Sequence, residues 1–147
     1  MKERMSIKKA DKRIYECMDQ ADDLVQAFEI EPKIKELVKV RVSQLNGCGY
    51  CINYHTKEAR RIGETERRLY ALSAWWETPF FTRDERAILK FTDEVTLISK
   101  GGVTDETFDN ALHAVGEKGV AQLVFIISTT GTWNRIAIST HMVAEEN

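Results

Sequence analysis

Apolar residues recur at three- and four-residue spacing along most of the chain, the pattern of amphipathic helices. One apolar stripe runs from Lys12 to Phe28. A second begins at Pro32, a residue suited to a first helical position, and stops at Asn46-Gly47. We therefore predict two consecutive helices, over 12–28 and 32–46.

Turn and capping residues divide the rest of the chain into further helices. Thr82 followed by Glu85 has the spacing of a capping box, and Gly101-Gly102 is a stop signal. The predicted helices run from Cys48 to Ile62, Glu66 to Trp76, Thr82 to about Ile98, Thr104 to Val115 and Lys118 to His141. The β-branched run Val124–Thr130 could form a strand in isolation, but no other segment alternates with period two to pair with it. The predicted fold class is all-α, a helical bundle with short connections.

The composition limits the class of protein further. The 147 residues are 43% apolar and 30% charged, which fits one soluble globular domain over 1–147. The net charge of -2 gives no basic surface for a nucleic acid. The N-terminus has no apolar signal region, and no stretch approaches the 18 or so apolar residues of a membrane span. We expect a cytoplasmic protein that binds neither nucleic acid nor membrane.

The chain has three cysteines, and the pair Cys48 and Cys51 indicates redox or metal chemistry. An odd count with two cysteines three apart disfavours a structural disulfide framework. A zinc site would need two more ligands from Cys17 and the three histidines, His55, His113 and His141, without a second Cys-x-x-Cys pair. Zinc is therefore the weaker alternative, and Cys17, on the apolar side of its helix, is predicted to be a small core residue.

Spacing predicts that two further side chains, those of Glu36 and His55, lie close to the cysteine pair. Thiols at a helix N-terminus are favoured as thiolates by the unpaired N–H groups and the helix dipole. Cys51 and His55 are at i and i+4, on one helix face. If the second and third helices pack antiparallel, Glu36 comes within side-chain or one-water reach of His55. Carboxylate, imidazole and thiol would then form an orienter, a base and a nucleophile in series.

These residues resemble a known family. Glu36, eleven residues, Cys48-Gly-Tyr-Cys51, three residues and His55 is similar to the core of the alkylhydroperoxidase AhpD, within the carboxymuconolactone decarboxylase family. The resemblance is strongest from Glu36 to Arg60 and continues through Trp75-Trp76 and Pro79-Phe80-Phe81. It implies an all-helical fold that assembles as trimers or as hexamers.

The resemblance also implies a peroxidase cycle without metal or flavin. Cys51 would be the peroxidatic thiolate that becomes a sulfenic acid, and Cys48 the resolving thiol that condenses with it to a disulfide. Glu36, through a water and His55, would relay the proton. The partners implied are a small-molecule hydroperoxide and a thiol electron donor, of which a lipoyl-bearing protein is one candidate. No cofactor is implied.

One residue departs from the family pattern. The best-known peroxidases of the family carry a second histidine directly before the second cysteine, where this chain has Tyr50. Since a tyrosine ordinarily titrates near pH 10, this position offers no proton acceptor at neutral pH. The alternatives are a thiol-disulfide oxidoreductase or redox-switched interaction protein without peroxidase turnover, and, less favoured, a decarboxylase-like enzyme.

Four aromatic residues follow the site in the sequence and could serve either a pocket or a packing surface. Aromatic side chains at this density more often fill a core or a subunit interface than a substrate pocket. We interpret them as part of a subunit interface: Trp75, Trp76, Phe80 and Phe81.

Overall fold

The computed structural model of the protein describes residues 1–144, and every regular element in that range is a helix. The all-α prediction is confirmed. The α-helices are α1 (Ile7–Ala10), α2 (Lys12–Ala27), α3 (Pro32–Asn46), α4 (Gly49–Arg61), α5 (Glu66–Ala71), α6 (Arg83–Thr96) and α7 (Asp105–Thr140). Two 3₁₀ turns, Leu72–Glu77 and Ile98–Lys100, follow α5 and α6.

Helix α3 is the centre of the molecule and packs against α4, α6 and α7. All of its residues from Lys35 to Ser43 are buried. Pro32 begins the helix, and Gly47 ends it in the left-handed conformation, with φ 71° and ψ 31°. Glycine adopts that conformation without a steric cost, so the chain reverses there and leads directly into Cys48.

The burial of α3 includes charged side chains, which must find partners because an unpaired buried charge is costly. The Lys35 ammonium donates to three carbonyl oxygens at the end of α2, those of Val25 (3.1 Å), Gln26 (2.9 Å) and Phe28 (3.1 Å). Lys35 thereby satisfies carbonyls that the end of α2 leaves without helical partners. This fixes α2 against α3.

Helix α7 contains a break at Gly116, where φ is 71° and ψ is 173°. That combination is open only to glycine at ordinary cost. The break separates the two segments predicted as independent helices, which end at Val115 and begin at Lys118. The Thr104 hydroxyl caps the first segment by accepting from the Thr107 N–H at 3.2 Å.

The capping residues read from the sequence have their predicted roles. The Thr82 hydroxyl accepts from the Glu85 N–H at 3.2 Å, and the Glu85 carboxylate accepts from the Thr82 N–H at 2.7 Å. This reciprocal pair is a complete capping box at the start of α6. The prediction of the α6 start is therefore confirmed.

The sequence-based interpretation is wrong for three residues: Cys17, Trp75 and Phe81. Cys17 is exposed rather than in the core, because α2 turns Met18 and Val25 inward instead. Trp75 and Phe81 lie in the core cluster of this chain, with Leu37 and Leu72, so they are unavailable for a subunit interface. Trp76 is 47% exposed and Phe80 is half-buried. A place in a subunit interface stays a prediction for these two residues.

The N-terminal segment lies along the end of α7. The Arg4 N–H donates to the Thr140 carbonyl at 2.8 Å.

Helix α7 is long and apolar enough to cross a membrane, whereas the sequence analysis expected no segment of that kind. However, Leu123, Ile126 and Ile127 of α7 form the main core with α3 and α6. A helix in the core of a domain can have the same length and apolar composition as a membrane span.

Candidate active site

The cysteine pair lies at the start of α4. Cys48 is the N-cap residue, and its sulfur accepts from the Cys51 N–H at 3.3 Å. The two cysteines form a disulfide across a Cα–Cα distance of 5.3 Å. Both are buried, packed on Ala137 of α7. A helix N-terminus stabilises negative charge, so the position favours a thiolate when the bond is reduced.

Glu36 and His55 are joined directly, as the antiparallel packing of α3 and α4 predicts. His55 Nδ1 lies 3.0 Å from Glu36 Oε2. An ionised carboxylate can only accept, so Nδ1 carries a proton, and in the neutral imidazole this leaves the lone pair on Nε2. No water is needed between the two side chains, which is tighter than the water-mediated relay expected from the family resemblance.

Lys39 completes this group, although the sequence interpretation did not include it. Its ammonium donates to Glu36 Oε1 at 2.8 Å, and both side chains are about 10% exposed. The sequence could have indicated this ion pair, because a lysine three residues after a glutamate lies next to it on the same face of a helix. Glu36 thus has a separate partner for each of its oxygens.

These contacts determine the charge of Glu36. Burial acts to raise the pKa of its carboxyl, but the hydrogen bond from His55 and the positive charge of Lys39 outweigh burial. The pKa of Glu36 is therefore below its ordinary value. Glu36 is a carboxylate at neutral pH and can stabilise positive charge on His55.

A cavity of about 310 Å³ opens beside this group. Cys51, His55 and Lys39 line it, and of the two cysteines only Cys51 does so. The other lining side chains are mostly aromatic or polar and come from α2, α4 and the end of α7: Tyr15, Asp22, Gln26, Tyr50, Tyr54, Thr130, Trp133, Ala137 and Met142. A small molecule in this cavity would meet the sulfur of Cys51 next to the imidazole of His55.

A second carboxyl group, Asp22 on α2, lies in the same cavity and was not found from the sequence. The Trp133 indole N–H donates to Asp22 Oδ2 at 2.9 Å. The two residues are 111 positions apart. Burial raises the pKa of the Asp22 carboxyl, against the lowering effects of the Trp133 hydrogen bond and the Lys39 charge. No local spacing in the sequence could indicate this pair.

The structure brings all four predicted site residues together and leaves the other candidates apart. Glu36, Cys48, Cys51 and His55 form one group, whereas the exposed His113 hydrogen-bonds to its own helix. Within residues 1–144, no group of three or more His, Cys, Asp or Glu side chains is arranged to hold a metal ion. The site as built offers thiol and proton-transfer chemistry.

Comparison with known proteins identifies the family. The family model described as "Carboxymuconolactone decarboxylase family" matches residues 14–94. The chain is 44% identical over 105 residues to the uncharacterized protein YdfG of Bacillus subtilis (strain 168), covering 71% of each. The protein therefore belongs to the carboxymuconolactone decarboxylase family.

Solved structures narrow the class to proteins like AhpD. A protein of unknown function from Agrobacterium tumefaciens, described as a candidate antioxidant defence protein AhpD, superposes with a TM-score of 0.97 at 30% identity, covering 99% of this chain and 100% of that one. A peroxidase-related protein from Ralstonia eutropha JMP134, described as an alkylhydroperoxidase AhpD core, gives a TM-score of 0.84 at 18% identity, covering 95% and 74%. This chain is an AhpD-like member of the family.

Proposed function

We propose that the protein is a cysteine-dependent alkylhydroperoxide reductase, with Cys51 as the peroxidatic cysteine and Cys48 as the resolving one. The observation that carries the proposal is the placement of Cys51 and His55 in one cavity, with Glu36 hydrogen-bonded to Nδ1 of His55. The AhpD-like fold and the bonded cysteine pair support it.

The first step is attack of the Cys51 thiolate on the peroxide. His55 Nε2 accepts the thiol proton, and Glu36 stabilises the imidazolium that results. The thiolate then forms a sulfur–oxygen bond as the O–O bond breaks. This leaves a sulfenic acid on Cys51 and an alkoxide that takes up a proton to become an alcohol.

The second step closes the disulfide and prepares the site for reduction. The Cys48 thiolate attacks the Cys51 sulfenic sulfur, and hydroxide leaves as water after it takes a proton. A dithiol donor then attacks Cys51, the cysteine that lines the cavity, and Cys48 leaves as a thiolate. The Cys51 N–H that points to the Cys48 sulfur stabilises this leaving group.

The proposal extends to partners and location. We propose a small-molecule hydroperoxide as the substrate, a thiol donor such as a lipoyl-bearing protein as the reductant, and the cytoplasm as the compartment. A homo-oligomer is also proposed. It is supported by apolar side chains that remain exposed on α2 and α7: Ile14, Leu24, Val124, Phe125 and Ile138.

The test is single-turnover oxidation of the reduced protein by cumene hydroperoxide, with the cysteine state read by mass. The exposed Cys17 should first be replaced by serine, because its thiol would react in the background. We expect Cys51→Ser to abolish peroxide consumption and Cys48→Ser to accumulate a sulfenic acid on Cys51. A Cys51→Ser protein that consumes peroxide at the parent rate would disprove the assigned role.

A redox-switched interaction protein is the second candidate, since the same disulfide could change an assembly without turnover. Oligomer size measured with and without reductant in the Cys17→Ser background separates the two functions. Glu36→Gln provides a further distinction, because a proton relay requires the carboxylate and a binding role does not.

A further inference from the structure

Asp22 lies in the cavity of Cys51, but the proposed cycle gives it no role. Trp133 holds Asp22 Oδ2 at 2.9 Å, while Asp22 Oδ1 accepts no hydrogen bond from any of residues 1–144. A carboxyl group that is positioned by one oxygen and open at the other is arranged to exchange a proton with a molecule in the cavity.

The surroundings of Asp22 raise the pKa of its carboxyl group. Burial has the largest effect and raises the pKa, and Asp19 on the same helix raises it further. The Trp133 hydrogen bond and the positive charges of Lys39 on α3 and His55 on α4 act in the opposite direction. The balance leaves the pKa of Asp22 above its ordinary value.

We propose that Asp22 is the general acid of the reaction and gives its proton to the leaving oxygen of the hydroperoxide. This inference rests on the proposed function. The Cys51 thiolate supplies the electron pair, a sulfur–oxygen bond forms, and the O–O bond breaks. The alkoxide that leaves takes the Asp22 proton and becomes an alcohol. His55 then releases to water the proton that it took from Cys51, and Asp22 takes up a proton from water, so no net proton is gained or lost.

Four other proton carriers of the cavity are less suited to this step: Tyr15, Tyr54, Lys39 and His55. Burial raises the pKa values of Tyr15 and Tyr54, which makes both hydroxyls weaker acids. Lys39 is bound to Glu36 at 2.8 Å, and loss of its proton would leave that carboxylate without its ion pair. His55 must act as the base toward Cys51. Asp22 is the carboxyl group of the cavity that has no such second task.

The test compares two oxidants whose leaving groups differ in their need for a proton. Reduction of cumene hydroperoxide expels an alkoxide, whereas reduction of peracetic acid expels a carboxylate, which is stable without a proton. In single-turnover oxidation of the Cys17→Ser protein, we expect Asp22→Asn to slow the first reaction on the order of 10²-fold. The second should change less than about threefold, because it needs no general acid.

Asp23→Asn is the matched control, since it replaces an exposed aspartate of the same helix that does not line the cavity. We expect it to leave both rates unchanged. Equal slowing of both oxidants by Asp22→Asn, or slowing of neither, overturns the role of Asp22. A parent protein that reduces neither oxidant overturns the proposed function, and this inference with it.

The pH profile of the parent protein tests the proposal without relying on the folding of a variant. Ionisation of Cys51 and of the groups around it, His55, Glu36 and Lys39, affects both rates equally. Its effect therefore drops out of the ratio of the two rates. Below the pH at which peracetic acid itself ionises, we expect the ratio of cumene hydroperoxide to peracetic acid rates to fall as Asp22 loses its proton. A flat ratio overturns the proposal.

Discussion

Two regions of the molecule contain a tryptophan whose indole N–H donates to an aspartate, and they differ in what else holds the carboxylate. In one, Asp93 accepts from Trp75 at 3.1 Å and also from Nε and Nη2 of Arg41, at 2.6 and 3.0 Å. In the other, Asp22 accepts from Trp133 alone among residues 1–144.

The number of partners that hold each carboxylate distinguishes a structural aspartate, Asp93, from one that can react, Asp22. The Arg41 guanidinium makes two parallel hydrogen bonds that fix the position of the Asp93 carboxylate. The Arg41–Asp93 pair ties α3 to α6 in the apolar surroundings of Trp75. Asp22 has no such cation in contact and lies beside a cavity. The same Trp–Asp hydrogen bond therefore serves stability in one place and can serve proton transfer in the other.

Breaking the Arg41–Asp93 pair should have the largest effect on stability. We expect Arg41→Met to lower the free energy of unfolding by about 3–5 kcal/mol, because it leaves Asp93 as a largely buried charge without its cation. Urea unfolding followed by circular dichroism measures this loss. Arg61→Met is the control, since its pair with Glu58 is exposed and should contribute little to stability. Equal losses in the two variants would refute the structural role of Arg41.

Replacing each tryptophan by phenylalanine should have a smaller and unequal effect. Trp75 is 7% exposed, and we expect Trp75→Phe to cost about 1–3 kcal/mol through the lost hydrogen bond. Trp133 is only half-buried, so Trp133→Phe should cost less. It should raise the pKa of Asp22 further, because the lost N–H lowers that pKa. The cumene hydroperoxide to peracetic acid rate ratio should then fall at a higher pH than in the parent, and an unmoved ratio would contradict this.

The smallest expected effect is an opposite pH dependence of stability at two carboxyl groups, that of Asp22, which lines the cavity, and that of Glu36, which is bonded to His55. The pKa of Glu36 is lowered by folding, so its contribution is present above its ordinary pKa of 4.5 and is lost as pH falls through the folded value. The pKa of Asp22 is raised, so its contribution is present below 3.8 and is lost as pH rises through the folded value.

These contributions are measured from the free energy of unfolding between pH 3 and pH 7. At each pH, the value for the variant is subtracted from the value for the parent protein. We expect the difference from Glu36→Gln to grow with rising pH and the difference from Asp22→Asn to shrink. Slopes of the same sign would show that the two carboxyl groups have similar surroundings.

Much of the fold could be predicted because its boundaries are set by local chemistry. Pro32 and Gly47 define α3, and Thr82 with Glu85 defines the start of α6, through backbone conformation and capping that operate over a few residues. The Glu36–His55 contact was predictable for a related reason. Consecutive helices joined by a short turn pack antiparallel, so distance from the turn fixes which residues meet.

The features that could not be predicted depend on how distant helices face one another. The aromatic pattern around Trp75 does not distinguish a core from a subunit interface, and packing against α3 places that side chain in the core. The face of α2 that turns inward leaves Cys17 outside, although the apolar stripe alone suggested otherwise. The Trp133–Asp22 contact likewise exists only because the end of α7 lies beside α2.

The break at Gly116 has a consequence for the size of the molecule. A continuous helix over the 36 residues of α7 would be about 54 Å long. A compact domain of 147 residues has a radius of gyration of about 15 Å, so such a rod would extend well beyond the rest of the protein. A chain with a straightened α7 would separate Trp133 and Ala137 from their neighbours in the same molecule. Two such chains could regain those contacts by exchanging their C-terminal segments, so we expect the break at Gly116 to disfavour domain swapping.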